Sequence, residues 1–475
     1  MGKSLLEQRR TKIVCTIGPA TSSEKMLERL IRAGMDCARL NFSHGEPSEH
    51  VLVIESIRKI SKKNGKEVAI LQDLPGPKFR IGAIKNGGMV LKKNSNVVLT
   101  TGRARAPGEI PLRAQDLPRY VNKGDFIFLS DGTIKLKILG VSAKEIRCKC
   151  EIGGILLSGK GVNIPRLKGG FQSFTPKDRK FLRFGIEHGV DAAAVSFVMK
   201  SSDIESVRNF VGRRGSEISI FAKIEKSEAM KNLNQIIEVS DGLMVARGDL
   251  GVENPIELVP EMQKEIISRC NLNGIPVITA TQMLESMVNN PNPTRAEVTD
   301  VANAIFDGTD AVMLSEETAI GKYPLECVRM LSNVALSAEH RMQTLRNIPW
   351  KDTMVFKSLE DATCSAVADI SASIHARAII AMFRQLRNLA RISRFKPSAP
   401  IVSISSRLNV LRRSKLVWGV IPVCYQDRMP EGSILASQAR KLFQSGALGA
   451  RDRIIMVHDG SSEKVGITIR AIELK

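Results

Sequence analysis

Several features that would assign a chain to a large functional class are scarce in these 475 residues. Aromatic residues make up only 4% of the chain, and no basic run alternates with aromatics, so we expect no platform for stacking nucleic-acid bases. No apolar run approaches the length that crosses a membrane, and the amino-terminal MGKSLL has neither a signal-peptide core nor a myristoylation motif. We therefore expect neither a nucleic-acid partner nor a membrane partner.

The eight cysteines are scattered and fit no zinc-ligand pattern. The only close pair, Cys148 and Cys150, has the spacing of neighbours on one face of a strand. We expect reduced thiols and a cytoplasmic location.

Acidic residues are few relative to basic ones, 49 against 70, which gives a formal net charge of +21. A solvated basic surface is the simplest cause, attraction of phosphate-bearing substrates is the second, and nucleic-acid binding is the third. The excess of basic residues is unevenly distributed along the chain, because residues 384–415 contain nine basic residues and no acidic one.

Eight short apolar runs recur along the chain, and most of them are separated by stretches with helical spacing. Strand and helix alternating eight times predict a (β/α)8 TIM barrel, an α/β fold whose chemistry lies at the carboxyl ends of the strands. An open doubly wound sheet is the alternative. It would gather its functional groups at one switch point, whereas here seven or eight strands end in polar or charged residues.

Two stretches interrupt this alternation and indicate further domains. After the third barrel strand the hydrophobic pattern changes to period two with glycine-rich turns, and near the end a second α/β unit begins. We therefore expect the barrel at residues 1–81 and 166–345, an inserted β-barrel lid domain at 82–165, and a C-terminal α/β domain at 350–475.

Charged residues end two of the predicted buried strands, in segments 222–225 (AKIE) and 246–251 (ARGDLG). Burying charge is costly unless the charge has a role. Side chains alternate along a strand, so Lys223 and Glu225 point the same way, and Asp249 ends the next strand. The pattern favours a site for a divalent cation and an anion, with a structural ion-pair network as the alternative.

Ordered motifs along nearly the whole chain resemble those of the pyruvate kinase family. The matching segments are TIGP (16–19), ARLNFSHG (38–45), GP (76–77) with Arg80, KGVN (160–163), AKIE (222–225), ARGDLG (246–251), ATQMLESM (280–287) and PTRAEVTDVAN (293–303). One such motif would be weak support, but this many in order are specific.

The resemblance implies transfer of a phosphoryl group from phosphoenolpyruvate to ADP, giving pyruvate and ATP in the last step of glycolysis with Mg²⁺ as cofactor. It also implies roles for individual residues. Lys223, Thr281 and Arg39 are the implied catalytic residues, Gly248 and Asp249 also bind the substrate, Glu225 and Asp249 bind the metal, and Asn41, Ser43, His44, Arg80 and Lys160 bind the nucleotide. Without the resemblance, Thr281 would be an ordinary barrel threonine and His44 an ordinary loop histidine.

Two functions of other classes compete with this interpretation. A metal-dependent aldolase acting on phosphoenolpyruvate or pyruvate also uses Glu and Asp at strand ends, but it needs neither the inserted domain nor Lys160. A nucleic-acid-binding protein is supported by the net charge alone. Formation of ATP from ADP would distinguish a pyruvate kinase from the aldolase. A titration against duplex DNA at rising salt that shows no tight, salt-dependent binding would exclude the nucleic-acid-binding protein.

The segment after the third strand departs from the family, which usually reads DTKGPE where this chain reads DLPGPK. Family members bind K⁺ beside the substrate in this region, which here comprises Asn41, Ser43, Asp73, Leu74 and Lys78. A lysine in place of glutamate puts a fixed ammonium there and repels a second cation. We therefore expect K⁺ not to be required, although a weakly bound ion remains compatible with the cavity.

Two further segments raise questions of placement. Glu316 stands where the family usually has glycine, and its carboxylate could reach the site or face the helix that follows; the second is the simpler expectation. The family is homotetrameric, and residues 293–303 match a segment used between subunits. The apolar face of Ala296, Val298, Val301 and Ile305 could pack there or within the barrel.

The C-terminal domain lacks the loop rich in glycine and hydroxyl residues that binds fructose bisphosphate in many family members. Arg384 and Arg387 instead stand three apart at the start of a predicted helix and could clamp one phosphate, with a solvated basic face as the alternative. We expect allosteric control by a different phosphorylated small molecule, such as a sugar or nucleoside monophosphate.

Overall fold

The computed structural model describes residues 6, 8–77, 79–102, 108–113, 116–130, 132–165, 172–215, 217–345, 355–356, 358–425, 431–459 and 466–475. Along this part of the chain, barrel elements come first, then a β-domain, then the remaining barrel elements and a second α/β unit.

The chain enters the barrel with alternating strands and helices. These are β1 (Lys12–Ile17), α1 (Glu24–Ala33), β2 (Cys37–Asn41), α2 (Pro47–Asn64) and β3 (Ala69–Asp73). Local sequence sets the ends of α1, because Ser23 accepts a hydrogen bond from the Met26 N–H and Gly34 adopts a φ of +128° that disfavours a side chain.

After β3 the chain leaves the barrel and builds a mostly antiparallel β-domain. Its strands are β4 (Phe79–Arg80), β5 (Gly88–Leu91), β6 (Asn96–Thr100), β7 (Glu109–Pro111), β8 (Phe126–Leu129), β9 (Ile134–Val141), β10 (Glu145–Ile152), β11 (Gly154–Leu157) and β12 (Gly161–Asn163). Seven of them form a sheet in the order β4-β12-β8-β9-β10-β6-β7, and β5 pairs with β11. Cys148 and Cys150 both lie on the buried face of β10, as their spacing predicts.

The second part of the barrel contains five strands and their helices. They are α3 (Pro176–Glu187), β13 (Ala192–Val195), α4 (Ser201–Gly212), β14 (Ser219–Ile224), α5 (Ser227–Lys231), α6 (Leu233–Val239), β15 (Gly242–Ala246), α7 (Arg247–Glu253), α8 (Val259–Asn273), β16 (Val277–Ala280), α9 (Arg295–Phe306), β17 (Ala311–Leu314), α10 (Glu316–Ala319) and α11 (Pro324–Leu345). Across the whole described part of the chain, no helix combines the length and the apolar character needed to cross a membrane.

The eight barrel strands pair in parallel and close on themselves in the order β1-β17-β16-β15-β14-β13-β3-β2. This closure confirms the predicted (β/α)8 barrel and excludes the open sheet. The register places Asp73 opposite both Asn41 on β2 and Ala194 on β13. The carboxyl ends of neighbouring strands therefore bring residues from distant parts of the sequence together.

The C-terminal domain is a five-stranded α/β unit, as predicted. Its elements are α12 (Leu359–Ser373), β18 (Ala378–Met382), α13 (Leu386–Ser393), β19 (Ile401–Ser405), α14 (Leu408–Ser414), β20 (Val420–Cys424), α15 (Glu431–Gln444), β21 (Arg453–Asp459) and β22 (Ile467–Glu473). The strand order is β20-β19-β18-β21-β22, and only β22 runs antiparallel to its neighbour.

The C-terminal domain packs against the amino end of the barrel. Leu416 is only 1% exposed and joins the apolar cluster inside the barrel that includes Val14 and Leu71. Lys12, the first residue of β1, donates from Nζ to the Val420 carbonyl at 2.7 Å.

Much of the basic stretch 384–415 serves this packing. Lys415 Nζ lies 3.4 Å from Asp36 Oδ1, and Lys396 Nζ lies 3.4 Å from Asp310 Oδ1, with both lysines buried. Further pairs between this stretch and the barrel, at more exposed positions, are Arg412 with Glu67, and Arg407 and Arg413 with Glu217. The sequence-based alternatives for this stretch, a phosphate clamp or a solvated face, therefore omitted its main structural role, which is to bind acids of the barrel.

Asp36 is the acid at the centre of this interface. It is 6% exposed and accepts hydrogen bonds from Arg9 Nη2 at 2.7 Å and from the Ile13 N–H at 3.1 Å. Burial raises the pKa of Asp36, but the charges of Arg9, Lys415 and Lys12 outweigh burial and hold the pKa well below its usual value.

We expect Asp36→Asn to destabilise the fold by about 3–5 kcal/mol, because it leaves buried cations unpaired. Since the pKa of Asp36 is lower in the folded than in the unfolded chain, its contribution is present above about pH 4 and is lost as the pH falls through the folded-state pKa. Thermal unfolding from neutral to acid pH should show a gap between the wild type and the variant that narrows in acid.

The matched control for this prediction is Glu24→Gln, which removes the exposed partner of Lys59 and should leave the unfolding midpoint nearly unchanged. A neutral-pH midpoint for Asp36→Asn equal to that of the wild type would contradict the prediction.

Candidate active site

Charged residues at the ends of β2, β3 and β14 form one connected network. Asp73 ends β3 and is only 2% exposed. Its Oδ2 accepts hydrogen bonds from Arg39 Nε at 2.9 Å and Nη2 at 2.6 Å, and its Oδ1 lies 3.3 Å from Lys223 Nζ. Arg39 Nη1 also donates to Thr16 Oγ1 on β1 at 2.8 Å. One buried carboxylate thus holds two cations side by side at the carboxyl end of the barrel.

Lys223 is 5% exposed, and its ammonium has three oxygen neighbours. Besides the contact with Asp73, Nζ donates to Ser196 Oγ at 2.7 Å and lies 2.8 Å from Glu225 Oε1. Burial lowers the pKa of Lys223, but the charges of Asp73, Glu225 and Asp249 outweigh burial and raise the pKa above its usual value. The ammonium therefore stays charged at physiological pH and can serve as a fixed positive charge, not as a base.

Glu225, directly after β14, and Asp249, in the first turn of α7, are the candidate metal ligands. Glu225 is fully buried, and its Oε2 accepts a hydrogen bond from the Phe197 N–H at 2.7 Å. Among the described residues, no group of three or more His, Cys, Asp or Glu side chains is arranged to hold a metal ion. A pair of hard carboxylates nevertheless fits Mg²⁺, which keeps several waters and typically takes one or two protein carboxylates together with substrate oxygens.

Thr281 contacts the start of α7 in a strained conformation. The Gly248 N–H donates to Thr281 Oγ1 at 2.8 Å, and this hydroxyl donates to the Ala280 carbonyl at 2.6 Å. Thr281 has a φ of +67°, which is costly for a β-branched residue. Arg247 stabilises it by donating to the Thr281 carbonyl at 2.7 Å while pairing with Asp300 at 2.6 Å. The strain favours a functional position for Thr281 over that of an ordinary barrel threonine.

A cavity of about 330 Å³ opens beside this network, between the barrel and the inserted domain. Three of the residues predicted to bind the nucleotide, His44, Arg80 and Lys160, lie in its wall together with Asp249. The other two, Asn41 and Ser43, lie at the end of β2 and in the turn that follows, where the Ser43 N–H donates to Asn41 Oδ1 at 3.1 Å.

Glu316 also lies in the wall of this cavity, so the expectation that it faces the following helix is wrong. The reason is that α10 begins at Glu316 itself. The next residue, Glu317, turns inward instead, where it is buried and accepts hydrogen bonds from the Leu284 N–H at 3.0 Å and the Ser315 N–H at 2.6 Å. Of two adjacent carboxylates, one is structural and the other faces the site.

Sequence reasoning missed a buried pair at the base of the inserted domain. Lys226 binds Glu253 and also donates to the Ile164 carbonyl at 3.2 Å, near the point where the chain returns to the barrel. Both side chains are buried, and Lys226 lines the cavity. The signal was available, because Lys226 directly follows the AKIE segment.

The predicted monovalent-cation region consists largely of oxygens that already have partners. The Leu74 carbonyl accepts a hydrogen bond from Ser196 Oγ at 2.8 Å, Asn41 Oδ1 accepts one from Ser43, and Asp73 binds Arg39 and Lys223. Lys78 lies outside the described residues.

The predicted effector residues lie at the carboxyl ends of the C-terminal strands. Arg384 precedes α13 and lines a cavity of about 300 Å³ together with Arg407, Ser405, Tyr425 and Asp459. Its backbone N–H donates to Asp459 Oδ2 at 2.7 Å, and its carbonyl accepts from Arg407 Nη2 at 3.2 Å. Arg387, in the first turn of α13, is exposed and does not line this cavity.

Fold and site together define a class, the (β/α)8-barrel enzymes that gather a lysine, an arginine and a pair of carboxylates at strand ends beside an inserted β-domain. A family model described as "Pyruvate kinase, barrel domain" matches residues 8–328, and one described as "Pyruvate kinase, alpha/beta domain" matches residues 361–468. The chain therefore belongs to the pyruvate kinase family, a family of phosphotransferases, as the resemblance implied.

Curated relatives agree with this assignment. A pyruvate kinase of Thermococcus litoralis is 44% identical over 435 residues, which cover 90% of this chain and 92% of the relative. The pyruvate kinase of Staphylococcus epidermidis is 42% identical and that of Staphylococcus aureus 41%, each over 463 residues that cover 97% of this chain and 79% of the relative.

Proposed function

We propose that this chain transfers the phosphoryl group of phosphoenolpyruvate to ADP, giving pyruvate and ATP, with Mg²⁺ as cofactor, and that it does so in the cytoplasm. Family membership supports the reaction. The observation that carries the assignment to this site is the ammonium of Lys223, buried among Asp73, Glu225 and Ser196 at the strand ends.

Phosphoryl transfer depends mainly on positioning and on positive charge, since negative charge spreads over the equatorial oxygens of the moving group. Lys223 supplies that charge in this proposal, and its raised pKa keeps it protonated. Arg39 grips the phosphoryl group, and its contacts with Asp73 and Thr16 fix the guanidinium at the barrel mouth.

Glu225 and Asp249 would hold the Mg²⁺. When bound, Mg²⁺ neutralises charge on the oxygens of the substrate and of the moving phosphoryl group. The substrate carboxylate accepts hydrogen bonds from the N–H groups of Gly248 and Asp249. In doing so it competes with Thr281 Oγ1 for the Gly248 N–H. Thr281 then lies beside the enolate carbon that gains a proton.

The nucleotide binds in the cavity of about 330 Å³ through Arg80, Lys160 and His44, with Asn41 and Ser43 at its barrel side. Arg80 and Lys160 come from the inserted domain side of the cavity, so closure of that domain over the barrel would bring their charges onto the phosphates. Glu316 adds a carboxylate to the same wall.

With ADP, phosphoenolpyruvate and Mg²⁺, we expect ATP and pyruvate to form in equal amounts and formation to stop when the metal is chelated. We also expect nearly the same rate in K⁺ and in tetramethylammonium buffers, because a lysine stands where the family usually has glutamate and because oxygens of Asp73 and Leu74 have protein partners. Luciferase and lactate dehydrogenase assays measure the two products.

Pyruvate formation without ATP would contradict the proposal and favour the aldolase class. A large stimulation by K⁺ would leave the reaction intact but overturn its independence of monovalent cations.

A homotetramer is part of the proposal, with α9 at a subunit interface. Val301 and Ile305 are buried in the apolar cluster that barrel strands form with the surrounding helices, whereas Ala296, Thr299 and Phe306 remain exposed on the same helix and are available to a second copy. Light scattering at micromolar concentration should give about four times the monomer mass, because D₂ assembly is common among such enzymes. A stable monomer would contradict this assignment.

We also propose that a phosphorylated small molecule other than fructose bisphosphate binds the C-terminal cavity lined by Arg384 and Arg407 and changes the affinity for phosphoenolpyruvate. The two guanidinium groups supply charge for one phosphate, and the segment after the first C-terminal strand, residues 383–389 (FRQLRNL), lacks the glycine and hydroxyl residues of a bisphosphate loop. A panel of sugar and nucleoside monophosphates, assayed at subsaturating phosphoenolpyruvate, should contain an activator or inhibitor.

Its effect should be lost in Arg384→Ala. Arg387→Ala is the matched comparison, since Arg387 is also an exposed arginine but lies outside the cavity. The same variant tests whether Arg384 and Arg387 bind one phosphate together. A silent panel, or an effect that survives Arg384→Ala, would contradict the proposed site. A response to fructose bisphosphate would contradict the predicted ligand.

A further inference from the structure

We propose that Ser196 is a positioning residue for phosphoryl transfer, because its hydroxyl fixes where the ammonium of Lys223 stands. The inference rests on the proposed function, in which Lys223 supplies the charge that the transition state needs. Ser196 lies directly after β13 and is 1% exposed.

The direction of the hydrogen bonds follows from the chemistry of the groups. A serine hydroxyl has one hydrogen, and Ser196 Oγ donates it to the Leu74 carbonyl at 2.8 Å. The oxygen therefore accepts from Lys223 Nζ, at 2.7 Å. This is the shortest of the three Lys223 contacts, because Glu225 lies at 2.8 Å and Asp73 at 3.3 Å.

The ammonium makes one hydrogen bond, to Ser196, and two ion pairs, with Glu225 and Asp73, and each partner comes from a different part of the barrel mouth. Asp73 ends β3, Glu225 follows β14, and Ser196 follows β13. Removing the hydroxyl takes away the one neutral contact of Lys223 and leaves the two carboxylates as its close partners. We expect the ammonium to move toward those carboxylates and away from its original position.

The backbone holds Ser196 itself in place. The Leu74 N–H donates to the Ala194 carbonyl at 3.0 Å, so the loop after β3 is bound to the end of β13 through both the backbone and the serine hydroxyl. Gly76, with a φ of +61°, packs so closely that an added Cβ would lie 3.0 Å from Ser196 Cβ and 2.9 Å from Phe197 Cδ2.

The next residue, Phe197, holds Glu225 in place in a similar way. Phe197 has a φ of +57°, a conformation that is strained for a bulky side chain, and its N–H donates to Glu225 Oε2 at 2.7 Å. Two consecutive residues thus hold the two functional side chains of the segment 222–225, Ser196 by its side chain and Phe197 by its backbone. Strain of this kind persists only where surrounding contacts fix it.

The alternative is that Ser196 only ties β13 to the neighbouring loop and contributes stability. The two roles predict different kinetics. A positioning role lowers kcat, since a displaced charge stabilises the transition state less, while KM for phosphoenolpyruvate changes little. A merely structural role lowers thermal stability and leaves kcat unchanged in the folded fraction.

The test compares Ser196→Ala with Ser240→Ala in the full-length protein. Ser240 is also buried and donates to a backbone carbonyl, that of Ile236 at 2.6 Å, but it lies outside the site. We expect both variants to lose some thermal stability, and only Ser196→Ala to lose about 10- to 100-fold in kcat, the scale that follows from a displacement of about 1 Å. Ser196→Thr, which keeps the hydroxyl, should recover most of the loss.

If Ser196→Ala fails to fold, Ser196→Cys replaces the hydroxyl by a weak acceptor of similar size and should still lower kcat. A kcat for Ser196→Ala or Ser196→Cys equal to that of Ser240→Ala would overturn the positioning role while leaving the proposed reaction intact. Absence of phosphoryl transfer in the wild type would instead overturn the proposed function.

Discussion

The buried ammonium of Lys223 is the constraint around which the rest of the site is arranged. An ammonium in the barrel mouth is tolerated only with counter-charges, and Asp73 and Glu225 provide them from two strands. Asp73 also fixes Arg39, so one acid sets the position of both cations. The result is a cluster of charges that contacts within the protein hold in place, and charges held in place are the condition for electrostatic stabilisation of a transition state.

At the amino end of the barrel, charge pairs attach the C-terminal domain to the barrel. There the C-terminal domain covers the strand starts, and its basic stretch binds acids that precede the barrel strands, with Lys415 on Asp36 and Lys396 on Asp310. The same stretch begins at Arg384, which lines the C-terminal cavity together with Arg407. A ligand in that cavity would therefore act on a domain that is ionically attached to the amino end of the barrel, while the proposed active site lies at the carboxyl end.

Hydrophobic periodicity in the sequence was sufficient to predict the eight barrel strands, the inserted β-domain and the C-terminal α/β unit, because each of these depends on a local pattern of apolar residues. The charges that end one of these apolar runs also identified Lys223 and Glu225, which are two residues apart at the end of β14. These local patterns could not identify Ser196 as their neighbour or the central position of Asp73, since those contacts join strands far apart in sequence. Glu316 was misplaced for a local reason, namely that α10 begins at Glu316 itself, whose side chain lines the cavity.

The most direct test of the central claim is turnover of phosphoenolpyruvate and ADP by Lys223→Met, measured together with calorimetric binding of phosphoenolpyruvate in Mg²⁺ and with thermal unfolding. Removal of the fixed charge should lower kcat by about 10²- to 10³-fold or more, while the folded variant still binds phosphoenolpyruvate. A folded variant that turns over within a few-fold of the wild type would show that the charge of Lys223 does not carry the reaction.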